Sequence, residues 1–115
     1  MPQRRNAFRH DGRRNSTKTI AVPVRALFGA WKDTNKRAGW LKDHRFTVRK
    51  ATARKSLRIT WVDGKTNVDV NFFAKGAKKS SVAVEHGKLA SRKEVEAKRR
   101  YWRGALAKLK TQLEA

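Results

Sequence analysis

The sequence predicts an α+β domain, a curved antiparallel sheet packed around one long C-terminal helix, in the order β-α-(α)-β-β-β-β-α. Two observations predict it. Between Leu57 and His86, apolar residues alternate with polar ones in runs separated by turn residues, the period of half-buried strands. From Ser91 to Leu113 the period becomes helical, with a capping signal at the start. A chain of 115 residues, 38% of them hydrophobic, suffices for one domain with a single modest core. Residues 1–16 are polar, basic and aperiodic and are expected to form a flexible basic arm, leaving 17–115 as the folded domain.

The elements follow in order. Ile20 and Val22 alternate with Thr19 and Ala21, which predicts a short strand over Thr17–Val22. Pro23 ends it and suits the first turn of a helix, where its missing N–H costs nothing. Val24, Leu27, Phe28 and Trp31 then share one helical face over residues 23–33. Trp40 and Leu41 mark a second short helical or irregular piece. Phe46 and Val48 begin the sheet, and Leu57, Ile59 and Trp61 continue it.

Asp63-Gly64 signals a two-residue type I′ hairpin, which needs positive φ at both central positions. That turn sets a register in which Leu57 faces Val70, Ile59 faces Val68, Arg58 faces Asp69 and Thr60 faces Asn67. A one-residue slip would put apolar against polar throughout. A second loop at Lys75–Lys79 places Val82 opposite Phe72, Val84 opposite Val70 and His86 opposite Val68. The closing helix opens with Ser91 and Glu94, an S-x-x-E capping box. Val95, Trp102, Leu106, Leu109 and Leu113 then fall in an arc about 60° wide, on a helix about 35 Å long.

Charge is the other prominent property. Thirty Lys and Arg against nine Asp and Glu give a formal net charge of +21. The excess is spread along the chain: six basic and one acidic residue in 1–18, sixteen and five in 19–90, eight and three in 91–115. Such a charge attracts anionic polymers and carries no information about fold.

Several function classes are excluded or weakened by composition. The absence of Cys removes disulfides, thiolate metal sites and thiol nucleophiles, and fits a reducing, cytoplasmic location. No apolar run approaches the roughly 20 residues of a membrane span, and the polar, Arg-rich start is unlike a secretory signal. The three His residues, His10, His44 and His86, lie far apart in sequence and show no ligand spacing, so no metal site and no cofactor are expected. Ala74–Ser80 has a glycine and lysines but not the phosphate-loop pattern. No nucleophile, base and acid form a catalytic set, and no catalytic residue is assigned.

Lys18–Val24 with Leu27, Phe28 and Trp31 is similar to the first strand and helix of the START-like helix-grip superfamily, also called SRPBCC. Within it the nearest resemblance is to the bacterial branch related to the activator of the ninety-kilodalton heat-shock-protein ATPase. Ser56–Gly64, Val68–Gly76, Lys79–His86 and Lys88-Leu89 resemble that branch's hairpins, and Tyr101-Trp102 with Leu106 its final helix. The resemblance spans about residues 18–114. It implies a sheet gripping the last helix around an interior that takes an apolar small ligand or a protein client, without a shared catalytic motif.

Two sets of candidate residues follow. Trp31, Trp40, Phe46, Trp61, Phe72, His86 and Trp102 are the candidate cavity lining, or else ordinary core. Arg54, Lys55, Lys75, Lys78 and Lys79 fall on two turns expected at the same end of the sheet. Arg92, Arg99, Arg103 and Lys110 align within about 40° on the closing helix. These cations are candidates for polyanion contact, and the alternative function is a basic module contacting nucleic-acid phosphates without sequence preference. The helix–strands–helix order also resembles a double-stranded RNA-binding domain, with Arg92 and Lys93 at the start of the closing helix. Four central strands and a strand before the first helix favour the grip arrangement instead.

Overall fold

The computed structural model describes residues 14–115. Residues 1–13 of the expected arm, His10 among them, lie outside the described residues. The elements are β1 (Arg14–Ile20), α1 (Val24–Lys32), α2 (Thr34–Arg37), β2 (Thr47–Thr52), β3 (Ser56–Thr60), β4 (Asn67–Gly76), β5 (Lys79–Gly87) and α3 (Arg92–Glu114). The order matches the predicted one. β1 starts at Arg14, three residues before the expected Thr17, because its backbone pairs with β5 as far as His86. The short second helix is α2, capped by the Asp33 carboxylate, which accepts from the N–H groups of Asn35 and Lys36. Trp40 and Leu41 follow it and are buried.

The five strands form one open antiparallel sheet in the order β1-β5-β4-β3-β2. The β3–β4 and β4–β5 registers are those expected from the alternation: Ile59 pairs with Val68, Arg58 with Asp69, and His86 with Val68. Leu57, Ile59, Val68, Val70, Phe72, Val82 and Val84 therefore all turn inward and are buried. Each such side chain contributes about 1.5–3 kcal/mol by leaving water.

The β3–β4 turn differs from the expected type I′. Trp61 N–H donates to the Thr66 carbonyl, closing the ladder across four intervening residues, and Gly64 N–H donates to the Trp61 carbonyl. Gly64 has φ +70°, but Asp63 does not share the left-handed conformation that a type I′ turn requires. The reason is the Asp63 carboxylate. It accepts from the backbone N–H groups of Lys65 (2.8 Å) and Thr66 (2.9 Å), so the side chain closes the loop in place of the backbone.

The inner face is covered by α1 and α3. Ser91 Oγ accepts from Glu94 N–H, as the capping signal predicts. The Glu94 carboxylate reaches back to Ala90 N–H (2.9 Å), one residue earlier than in the usual box. Val95, Trp102, Leu106 and Leu109 are buried, joined by Ala105, while Leu113 is partly covered. At the far end of α3, Glu114 Oε2 accepts from Ala21 N–H (2.8 Å), fixing the last turn to the corner after β1. The buried Ser80 hydroxyl donates to the Val22 carbonyl (2.8 Å) at the same corner. Among the described residues, no helix is long and apolar enough to cross a membrane.

Candidate functional site

The sheet and α3 bring all seven candidate lining residues into one buried cluster. α1 supplies Trp31, the loop after α2 supplies Trp40 and Phe46, and the end of β3 supplies Trp61. Phe72 comes from β4, His86 from β5 and Trp102 from α3. Their rings touch in sequence. Trp31 meets Trp40 edge-on at 4.8 Å between centroids, meets Phe72 edge-on at 6.2 Å and stacks on Trp102 at 5.9 Å. Trp61 lies 5.3 Å from both Trp102 and His86, and Phe46 stacks on Trp61 at 5.9 Å. Offset and edge-on pairs of this kind each add about 0.5–1.5 kcal/mol beyond burial.

A chain of hydrogen bonds runs through this cluster to the surface. Trp102 Nε1–H donates to His86 Nδ1 at 3.1 Å. An indole nitrogen only donates, so Nδ1 is bare and the imidazole proton sits on Nε2. From Nε2 it is donated to Thr66 Oγ1, 2.8 Å away. The Thr66 hydroxyl in turn donates to Asp63 Oδ2 at 3.0 Å. Burial holds the His86 imidazole at about 4, well below its usual value, and Lys98 lowers it further, while Asp63 opposes both. The ring is therefore neutral near pH 7, with both nitrogens engaged. Burial raises the Asp63 carboxyl, but the N–H groups of Thr66 and Lys65, the Thr66 hydroxyl and His86 together hold it below its ordinary range.

The mouth of this chain has its own geometry. The Lys98 ammonium lies 5.5 Å from the Trp61 ring and 5.4 Å from the Tyr101 ring, within range of cation–π attraction. The half-buried Tyr101 hydroxyl accepts from Asp43 N–H at 3.4 Å, and burial followed by the Asp43 carboxylate pushes the phenol above its usual value. Arg37 is buried beside Phe46, its guanidinium 4.1 Å above that ring. It donates to the carbonyls of Trp31 (2.7 Å) and His44 (2.8 Å), tying the loop before β2 to α1. Burial lowers its pKa, with Asp33 acting against the shift.

One polar atom in the cluster stands out. Trp40 Nε1–H donates to the Ala30 carbonyl and Trp102 Nε1–H to His86, but Trp31 Nε1–H is buried without a hydrogen-bond partner. Separately, an open groove of about 380 Å³ lies along the outer side of α3, lined by Gly39, Ala107, Lys108, Thr111 and Gln112.

Sequence reasoning did not single out Thr66, Arg37 or Lys98, and it named Tyr101 only within the resemblance of the final helix. The D-x-x-T spacing of Asp63 and Thr66 is the one signal that could have found Thr66, since a carboxylate closing its own loop reaches the residue three positions on. Arg37 carries no such mark, because a buried guanidinium is recognised only by the carbonyls around it.

The candidate cations are placed as follows. Arg54, Lys55, Lys75, Lys78 and Lys79 are exposed, and the antiparallel meander puts their two turns at the same end of the sheet. Lys55 carbonyl accepts from Phe72 N–H (2.8 Å), which joins the first turn to β4. Arg92, Arg99 and Arg103 are exposed on α3. Carboxylates interrupt that stripe: Arg99 pairs with Glu96 at 3.4 Å and Lys110 with Glu114 at 2.6 Å.

No protein-family model matches the sequence, and no curated protein matches it. Solved structures do match the fold. An AHSA1-like protein from Rhizobium etli is similar over 87% of this chain and 80% of its own, with a TM-score of 0.70 and 16% identity. A protein from Staphylococcus saprophyticus is similar over 89% of this chain and 91% of its own, with a TM-score of 0.74 and 15% identity. A START superfamily protein from Mycobacterium smegmatis is similar over 88% of this chain and 98% of its own, with a TM-score of 0.57 and 10% identity. At such low identities the likeness concerns architecture alone. The open five-stranded sheet, the α1 cover and the long α3 laid across the inner face, taken with these neighbours, give this chain the START-like helix-grip fold.

Proposed function

We propose that this domain is a non-enzymatic binding module that takes an apolar small molecule, or an apolar segment of a protein client, in or around the interface between the sheet and α3. The fold shared with AHSA1-like and START superfamily proteins supports a binding role of this kind. The observation that carries the reading is the orphan Trp31 indole N–H, buried among Trp40, Phe72 and Trp102. Leaving such a donor unsatisfied costs about 1–3 kcal/mol. A flat apolar ligand bearing one oxygen acceptor would recover that cost on entering between the rings.

Binding rather than catalysis fits the rest of the cluster. His86 is the group nearest to a general base, and both its nitrogens are already hydrogen-bonded. Its pKa of about 4 leaves it a weak proton acceptor near neutrality. Among the described residues, no three His, Asp or Glu side chains gather where they could hold a metal. A cytoplasmic location is part of the same reading, supported by the Cys-free composition.

The test compares acetylnaphthalene with ethylnaphthalene, which differ in the carbonyl. Both are titrated while the indole N–H resonances are followed by NMR. The acetyl compound is expected to bind about five- to tenfold tighter, the worth of one hydrogen bond, and to shift the Trp31 N–H. Trp31→Phe, which keeps a ring but removes the donor, is expected to erase that preference. If neither probe moves any indole N–H, the small-ligand reading fails.

A further inference from the structure

The solvent-facing side of the sheet has a chemistry that the buried cluster does not use. The two strand–turn–strand arms that meet at one end of the sheet carry nine Lys and Arg within residues 44–62 and 70–84. Their carboxylates, Asp69 paired with Arg58 at 3.8 Å and Glu85 across from it, lie toward the opposite end of β4 and β5, and the turn end carries none. Phe73 sits in the second arm. Strand alternation turns Phe72 into the core and Phe73 outward, where it is 48% exposed. Its cross-strand partner is Ser81, and Asn71 lies two residues away on the same face. Lys75 shares that face, its ammonium 6.0 Å from the Phe73 ring centroid. Lys79, at the base of the β4–β5 turn, is also exposed.

The geometry points to this rim as a binding surface for single-stranded nucleic acid, with Phe73 as a stacking platform for a base and Lys75, Lys78 and Lys79 holding the adjoining phosphates. The ring and the cations require each other in this assignment. Cations alone attract any polyanion. An exposed flat ring beside them adds a partner that only an unstacked base can meet, because a duplex keeps its base faces buried in its own stack. The surrounding polar face, with Asn71 and Ser81, leaves Phe73 too isolated to insert into a lipid surface. The α3 stripe is the weaker candidate, since Glu96 and Glu114 partly neutralise it.

The experiment is fluorescence anisotropy with labelled oligothymidylate and oligouridylate of about 12 nucleotides, at about 50 mM salt. A matching duplex, heparin and phosphatidylserine vesicles are run in parallel. Both single strands are expected to bind more tightly than the duplex, and the ratio between the deoxy and ribo strands assigns DNA or RNA as the source. Phe73→Ala is expected to weaken single-strand binding at least about fivefold while leaving heparin binding unchanged. Phe73→Tyr should retain affinity and Phe73→Leu should lose it, which separates a flat ring from mere apolar bulk. Replacing Lys75, Lys78 and Lys79 together by Ala should reduce the logarithmic salt slope by about 2. The proposal is overturned by absence of single-strand binding at this salt, by tighter duplex binding, by equal loss on heparin, or by vesicle binding that depends on Phe73 without strand binding. Since Phe73 is half exposed, an unchanged unfolding midpoint for each variant confirms that the fold is intact.

Discussion

The two ends of the sheet are built from opposite materials. At the end where β3 turns into β4, one carboxylate, Asp63, organises a loop and terminates a hydrogen-bonded chain that runs through Thr66 and His86 to Trp102. At the other end, the turns after β2 and β4 carry five exposed cations and no carboxylate. Nothing buried depends on those cations. The contrast teaches where stability and recognition are divided in this small domain: polar groups at the first end are consumed internally, and those at the second are left for solvent or a partner.

The largest test of that division is Trp102→Ala. It removes a fully buried indole and strips His86 Nδ1 of its donor. A loss of about 3–5 kcal/mol is expected in urea unfolding, enough to lower Tm by more than about 10 °C. Lys78→Ala at the opposite end should change stability by less than about 0.5 kcal/mol. A comparable cost at both sites would break the comparison.

The next effect is pH dependence. The folded pKa of His86, about 4, lies below the ordinary value of 6.5 that the unfolded chain presents. As pH falls, the unfolded chain takes up the proton first and is favoured. The contribution is therefore complete above about pH 6.5 and is lost between there and about pH 4, up to about 3 kcal/mol. Protonation would also set an N–H of Nδ1 against the Trp102 N–H. Thermal unfolding across this range should show the fall, and His86→Gln should flatten this part of the profile. An unchanged slope in the variant would remove His86 as the cause.

The smallest effect sharpens the contrast from the cationic end. Arg54 holds φ +60° in the β2–β3 turn, a conformation that costs a side-chain-bearing residue about 1 kcal/mol. Arg54→Gly should raise stability by a similar amount, at the cost of one surface cation. A neutral or destabilising result would mean that the Arg54 side chain is held by contacts worth as much as the strain.

Much of this was legible in the sequence. The β3–β4–β5 registers could be read because apolar alternation and a turn residue pair specify the same alignment, and a slip would have exposed Leu57, Ile59 and Val70 together. The start of α3 could be read because Ser91 and Glu94 act locally. The β1–β5 pairing could not, since it joins residues sixty or more positions apart and β1 is mostly polar. The β3–β4 turn was misjudged because the Asp63 side chain competes with the backbone for the same donors. For the candidate site, the six aromatic residues and His86 lie in one buried cluster, whereas Arg37 and Thr66 are polar residues whose burial is explained only by the particular groups around them, the carbonyls of Trp31 and His44 for Arg37 and the side chains of Asp63 and His86 for Thr66.

Gly39 sets the spacing at the outer groove. A Cβ built there would come within 2.6 Å of Gln112 Oε1 and 3.3 Å of the Lys36 carbonyl. Gln112 Nε2 in turn donates to that same carbonyl at 3.3 Å. The approach of the α2 turn to the last helix is thus limited by one missing methyl group. Adding it would swing the glutamine amide aside, undo its bond to Lys36 and reshape the adjoining surface hollow without touching a single aromatic ring.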